Sequence, residues 1–341
     1  MRDEEPGIPS SETDKPSVQS QQLPLSIWIN AVDETNAAIA LRPEVSGIGL
    51  FRTEFFFMRY RKDFPNEQKQ YEYYTQVFGK CSDKPVVIRT IDIGGDKELN
   101  YFSLGPQDNP YLGLRGHRIY RYHPDIFVTQ VRAILRAAAN IQKVRLLYPM
   151  VESIDELFYI KELVHDVTES IRTDGLRFNE RIEHGMMIEV PSTAWHATRF
   201  LQHVDFACVG TNDLLQYFFA ADRNNGNVLE YCRPEDPSAL AMLKSVIVAA
   251  KELKKPLTLC GELASDIDFF PLMWGVGFKN FSVNSNSVDS ILEILKELSL
   301  EKCSLLARNC LAATTAKGSK QLLVDFWKKW DRTLTGEIHK S

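Results

Sequence analysis

Eight short, almost wholly apolar runs recur along this chain, each parted from the next by a longer stretch, and that rhythm constrains the fold more than any other feature. The runs fall at 25–32, 47–51, 86–91, 144–150, 185–190, 206–210, 257–260 and 280–283. Most are apolar at successive rather than alternate positions, as strands buried on both faces of a parallel sheet are. Helical spacing of apolar residues fills 124–139, 154–171, 237–253 and 288–298. The second of these starts behind Ser153, with Glu156 three residues on, the signature of a capping box. Strand and helix in alternation, with no strand-only block, define an α/β fold. Eight such units in one chain predict a single closed (β/α)8 TIM barrel in preference to an open sheet. Two excursions are longer, at 65–85 and 94–113, the second rich in Gly, Pro and Asn. Extended loops after barrel strands are where active sites are built. From about residue 300 the pattern is that of a helical tail. Trp327 and Trp330 lie close together near its end, read as packing on the barrel, with a partner-facing role as the alternative.

Residues 1–22 are rich in Ser, Glu, Asp, Pro and Gln and read as a disordered leader or linker remnant, leaving 23–341 for the barrel and its C-terminal helices. No stretch has the apolar core of a signal peptide or the roughly 20 apolar residues of a membrane span. The six cysteines (Cys81, Cys208, Cys232, Cys260, Cys303 and Cys310) are scattered without a CxxC pair, which predicts reduced thiols in a cytoplasmic protein. A net charge of -5 argues against a nucleic-acid platform. It does not argue against an anionic substrate, because a pocket's local field counts for more than the total charge.

Polar residues cluster where the apolar runs end. The second run ends in Arg52-Thr53-Glu54. The third leads through Arg89-Thr90-Ile91-Asp92 to a glycine pair and Lys97. The fifth ends in Glu189, the sixth in Thr211-Asn212-Asp213 and the seventh in Cys260-Gly261-Glu262. In a barrel these are the C-terminal ends of strands, the catalytic face. Singly, each has a plainer explanation: an arginine as a salt-bridge partner, Glu189 or Asn212-Asp213 as helix caps, Cys260 as a small buried hydrophobe. As a set they are chemically coherent. Two carboxylates suit Mg²⁺, which takes oxygen ligands together with substrate oxygens and water. Arginine forks suit a phosphate, and a metal beside them would neutralise a transferring phosphoryl group and hold an enolate oxygen. A thiol could protonate an enolate carbon. The set describes a phosphorylated enol, phosphoenolpyruvate.

Six segments carry a family resemblance: GIGLFRTEFFFM, VVIRTIDIGGDKELNYF, NPYLGLRGHRI, MMIEVPSTA, FACVGTNDLLQYFFAADRNN and LCGELASD. In this order, between about Leu25 and Asn286, they resemble the successive signatures of enzyme I of the bacterial sugar phosphotransferase system. The related dikinases and phosphoenolpyruvate synthases share the RTE, ND and CGE elements and form the nearest alternative. The resemblance implies that Arg52 and Arg89 bind phosphate, that Arg115 and Arg223 are further basic residues of the pocket, and that Asn212 contacts the phosphoryl group. It implies Glu189 and Asp213 as Mg²⁺ carboxylates and Cys260 as the thiol that yields pyruvate. It implies a homodimer built through the barrel. Asp92 and Lys97 fall inside a matching motif and are expected to line or order the loop.

Family members usually carry an upstream domain whose histidine accepts the phosphoryl group and passes it to a small carrier protein. The first strand begins here near Leu25, and none of the seven histidines stands in a Thr-Ser-His setting. The expectation is therefore a catalytic barrel that needs a phosphohistidine domain, supplied in trans or by a longer protein of which this chain is a fragment. A non-catalytic phosphoenolpyruvate sensor and a pyruvate-enolate lyase or aldolase are the competing functions. Three local departures stand out: His117 after Gly116, Ser265 after GELA, and the polar eighth run FSVNSNSVD, the last two expected to reshape the pocket near Cys260.

Overall fold

The computed structural model describes residues 25–330, apart from positions 82, 83, 96, 98 and 142. The leader at 1–22 and the last part of the tail lie outside the described residues. Eight strands are present: β1 Ser26–Ala31, β2 Val45–Arg52, β3 Val86–Arg89, β4 Val144–Tyr148, β5 Glu183–Ile188, β6 Phe206–Val209, β7 Leu257–Leu259 and β8 Asn280–Asn284. All neighbours are parallel, and β1 pairs with β8 from Ser26↔Asn280 to Asn30↔Asn284, closing the barrel. Each of the eight apolar runs overlaps one strand, so the predicted (β/α)8 barrel is the observed architecture.

The predicted helices are present with slightly different ends, at Pro124–Ala137, Ile154–Thr173, Pro237–Glu252 and Val288–Glu297. Ser153 caps the second, its side chain accepting from the Glu156 N–H. The stretch at 65–85, read as an excursion, contains the helix Glu67–Lys80. Asn66 caps it, and it buries Gln70, Tyr73, Tyr74, Val77 and Phe78. Three of those five inward positions, Gln70, Tyr73 and Tyr74, carry polar or hydroxyl groups, and two find buried partners: Gln70 donates to Pro65 O at 2.8 Å and the Tyr74 hydroxyl accepts from Gln130 at 3.1 Å. The inner face is thus less apolar than a simple hydrophobic stripe, which hides it from a periodicity search.

Two helices of the tail, Leu300–Ala312 and Ala316–Lys328, pack back on the barrel. Trp327 is buried and donates its indole N–H to Asp268 O at 2.9 Å, while Trp330 packs partly buried against the core under the ammonium of Lys302. Packing is the role both tryptophans play.

The alternation of side chains along a strand explains how the barrel positions its site. A compact inner cluster of Leu50, Val87, Leu147, Met187, Phe206, Cys208 and Cys260 is separate from the larger core. Two residues beyond Leu50, Val87 and Met187, toward the C-terminal mouth, stand Arg52, Arg89 and Glu189. The charged layer therefore sits directly on the apolar plug.

Candidate active site

The sequence offers eight candidate residues, six at or just beyond strand ends and Arg115 and Arg223 in loops, and the closed barrel gathers them around one mouth. Arg52 and Arg89 end β2 and β3 and are register partners. The Nε atoms of both are buried without a hydrogen-bond partner among the described residues. Arg89 holds Glu54 at 2.5 Å and approaches Asp92 at 3.3 Å. Lys97, from the glycine-turned loop after β3, reaches Asp92 at 2.7 Å and Glu54 at 3.2 Å. Burial opposes ionisation of Glu54 and Asp92, but the surrounding cations outweigh it. Arg89 and Lys97 hold Glu54 below its ordinary value, and Arg115, Lys97 and Arg89 hold Asp92 well below.

Arg115 is wholly buried. It grips Asp213 with two parallel bonds of 2.7 and 2.8 Å and Asp92 with two of 3.2 and 3.3 Å. Arg223 adds a 3.1 Å bond to Asp213. The Tyr111 ring lies beneath both guanidinium groups, at 5.7 and 5.4 Å. Gly116, with φ 54°, lets the chain turn from Arg115 against Met150. His117 is buried beyond it, 2.9 Å from the Glu152 carboxylate.

Glu189 and Asp213 come from the ends of β5 and β6. One Glu189 oxygen accepts from the Met150 N–H at 2.7 Å, and Met150 adopts φ 59°, a rare backbone conformation for a side-chain-bearing residue. The other oxygen lies where a Cβ on Gly210 would come within 2.7 Å, so a side chain at 210 would push this carboxylate aside. Burial first, and the Asp213 carboxylate second, push the Glu189 carboxyl up to about 7. Asp213 behaves oppositely: Arg115 and Arg223 overcome its burial and keep it below the usual range. A buried pair in which one carboxylate lacks charge compensation fits a divalent cation. Among the described residues no group of three or more His, Cys, Asp or Glu side chains could hold a metal, so the remaining positions would fall to substrate oxygens and water, as Mg²⁺ chemistry allows.

The helix Thr211–Phe218 begins behind Gly210, not behind an Asn or Asp cap; Asn212 and Asp213 occupy its first turn. Asn212 accepts the Glu262 N–H at 2.8 Å and so ties this turn to the segment after β7. Cys260 lies just beyond β7, buried, its thiol 3.4 Å from Val209 O and 4.0 Å from the Met187 sulfur. A short polar chain fixes its backbone: Ser282 donates to Asn30 at 2.8 Å, and Asn30 donates to Cys260 O at 3.2 Å. The polar eighth run thus contributes a support for Cys260. Ser265 accepts the Asn284 N–H at 2.8 Å, linking the same loop to the end of β8. Beside Cys260, the Cys208 thiol is pushed well above its ordinary value by its hydrogen bond with Cys260 and by burial.

A cleft of about 900 Å³ adjoins the mouth and reaches it through Asn212 and Arg223, continuing past Glu262 and Ser265 to Lys317 and Lys320. Arg52, Arg89, Glu189 and Cys260 do not line it, so the charge cluster, not this cleft, locates the chemistry. Residues to which sequence reasoning gave no part in the chemistry are central to that cluster. Glu54, Asp92 and Lys97 compensate the arginines, and Asn30 and Ser282 support the cysteine.

The family model described as "PEP-utilising enzyme, PEP-binding domain" matches residues 10–300. Multiphosphoryl transfer protein 1 of Escherichia coli K12 is 39% identical over 92% of this chain and 37% of its own length. Phosphoenolpyruvate-protein phosphotransferase of Mycoplasma pneumoniae is 37% identical over 94% of this chain and 54% of its own, and that of Buchnera aphidicola (Schizaphis graminum) 40% over 82% and 49%. The chain thus spans from about a third to about half the length of these relatives. It belongs to the PEP-utilising enzyme family, in which its match is to the PEP-binding domain.

Proposed function

We propose that the chain is the phosphoenolpyruvate- and Mg²⁺-binding barrel of a PEP-protein phosphotransferase, working with a phosphohistidine domain and a phosphocarrier protein. Arg52 and Arg89 bind the phosphoryl oxygens, with Arg115, Arg223 and Asn212 completing the anion site. Glu189 and Asp213 hold the Mg²⁺ ion, which supplies charge neutralisation at the phosphoryl and enolate oxygens. A histidine nitrogen attacks phosphorus in line, and the bond from phosphorus to the enol oxygen breaks. Its electron pair stays on the enolate, whose terminal carbon takes the proton of the Cys260 thiol to give pyruvate. The thiolate regains its proton from water.

The observation that supports this best is the pairing at β2 and β3. Two adjacent arginines present buried, unpartnered Nε groups beside a carboxylate pair of which one member is under-compensated. The same proposal covers a homodimer and a cytoplasmic location. Among the described residues no helix is long and apolar enough to cross a membrane. Calorimetric titration of phosphoenolpyruvate with Mg²⁺ tests the pocket. Binding in the micromolar-to-millimolar range is expected for the wild-type chain and its loss in Arg89→Ala. A folded wild-type chain that binds nothing would sink the proposal.

A further inference from the structure

Donor accounting at Arg115 leaves nothing over. A guanidinium carries five N–H donors, and five bonds are made: Nε and one Nη2 hydrogen to Asp92, one Nη1 and one Nη2 hydrogen to Asp213, and the second Nη1 hydrogen to the Tyr217 hydroxyl at 3.3 Å. Both oxygens of Asp213 are also held, with one lone-pair site of Oδ2 left over. Its Oδ1 accepts from Arg115 and Arg223 and its Oδ2 from Arg115. In this arrangement Arg115 has no donor for an anion and Asp213 no unengaged oxygen for a cation. The grip on Asp92 differs, because Asp92 is also held by Lys97 and approached by Arg89.

We propose that Arg115 couples cation and anion binding by toggling between Asp213 and the anion. The inference rests on the Mg²⁺ and phosphoenolpyruvate reading above and adds a mechanism for their interdependence. A divalent ion that takes an Asp213 oxygen displaces Arg115 N–H groups. Those groups, with the guanidinium still hinged on Asp92, become available to phosphoryl oxygens in the same mouth. Without an anion, the cation must compete with a bidentate, charge-assisted pair and binds weakly. With the anion present, the displaced donors find new acceptors and the cation binds tightly. The coupling is reciprocal by linkage.

Electron paramagnetic resonance titration of Mn²⁺ reads this directly, without turnover. Wild type and Arg115→Lys are each titrated with and without saturating phosphoenolpyruvate. Lysine keeps the charge but cannot grip both carboxylates as a fork. The wild-type chain is expected to bind Mn²⁺ at least tenfold more tightly when phosphoenolpyruvate is present. Arg115→Lys should bind Mn²⁺ alone several-fold more tightly than wild type, with the enhancement falling toward onefold. Circular dichroism checks the fold, and Arg115→Gln, with the same expected direction, replaces the lysine variant if that one does not fold. If the variant binds Mn²⁺ alone no better than wild type and keeps the full enhancement, the inference fails while the metal site stands. If neither protein takes up Mn²⁺ under either condition, the inference fails together with the metal reading on which it rests.

Discussion

At the N-terminal end of the strands, Arg145 of β4 stands beside Glu183 of β5, 2.8 Å away, with the two side chains 26% and 46% exposed. The Arg145 guanidinium lies 5.7 Å from the centre of the Phe206 ring, which belongs to the inner plug. At the opposite mouth, Arg89, Glu54, Asp92, Arg115 and Asp213 form a continuous ionic cluster in which no side chain is more than 8% exposed. The same kinds of residue meet at similar distances, yet water reaches only the first pair. An exposed pair contributes little because solvent screens it. A buried network carries a large desolvation cost and is a poor device for stability alone. Its position at the C-terminal mouth, where barrel enzymes do their chemistry, indicates that this end is organised for ligand and the other for closure.

Substitutions can sharpen or break that contrast. The largest effect is expected for Asp92→Leu, which leaves Arg115, Arg89 and Lys97 sharing too little negative charge. A stability loss of about 3–5 kcal/mol is expected by urea unfolding, as when one partner of a buried pair is removed. A loss below about 1 kcal/mol would mean that the mouth is as well solvated as the opposite end.

Glu189→Gln comes next and has the opposite sign. The Glu189 carboxyl is raised to about 7 in the folded chain, against an ordinary value near 4.3 when unfolded. The folded state therefore binds this proton more tightly. The associated stability is fully present below about pH 4 and is lost as pH rises through about 7. Glutamine cannot ionise, so the variant should be more stable than wild type at pH 8, by up to about 4 kcal/mol, and no more stable at pH 4. Thermal melts across that range, without divalent cations, check it. A pH-independent difference would remove the charge-based account of the pair.

The smallest effect is expected for Arg145→Ala at the far end. A loss under about 1 kcal/mol, with phosphoenolpyruvate affinity unchanged by calorimetry, keeps the two ends distinct. A weakened ligand affinity would show that they communicate through the plug.

Much of this molecule was legible before any coordinates. Strands buried on both faces must be apolar at successive positions, so all eight stood out, and the residue types following them marked the mouth. The helix at Glu67–Lys80 did not stand out, because its inner face includes Gln70 and Tyr74, whose polar atoms find partners only once the barrel has formed. Asn212 and Asp213 looked equally like a cap and like site residues. Only the coordinates put Gly210 at the cap and turned Asp213 toward Arg115.

What the amino-acid sequence determined by itself is therefore local and periodic: the strand count, the α/β class, the order of the strand-end residues and the family they resemble. What tertiary structure decided is pairing across distance. Asn30 and Ser282 meet because β1 and β8 close the ring, and together they steady Cys260. Asp92 and Lys97, expected only to line or order a loop, hold the charge balance of the mouth. Arg115 and Asp213 engage each other from 98 positions apart. No periodicity encodes which cation will neutralise which carboxylate, because that choice depends on which groups barrel closure strips of water together.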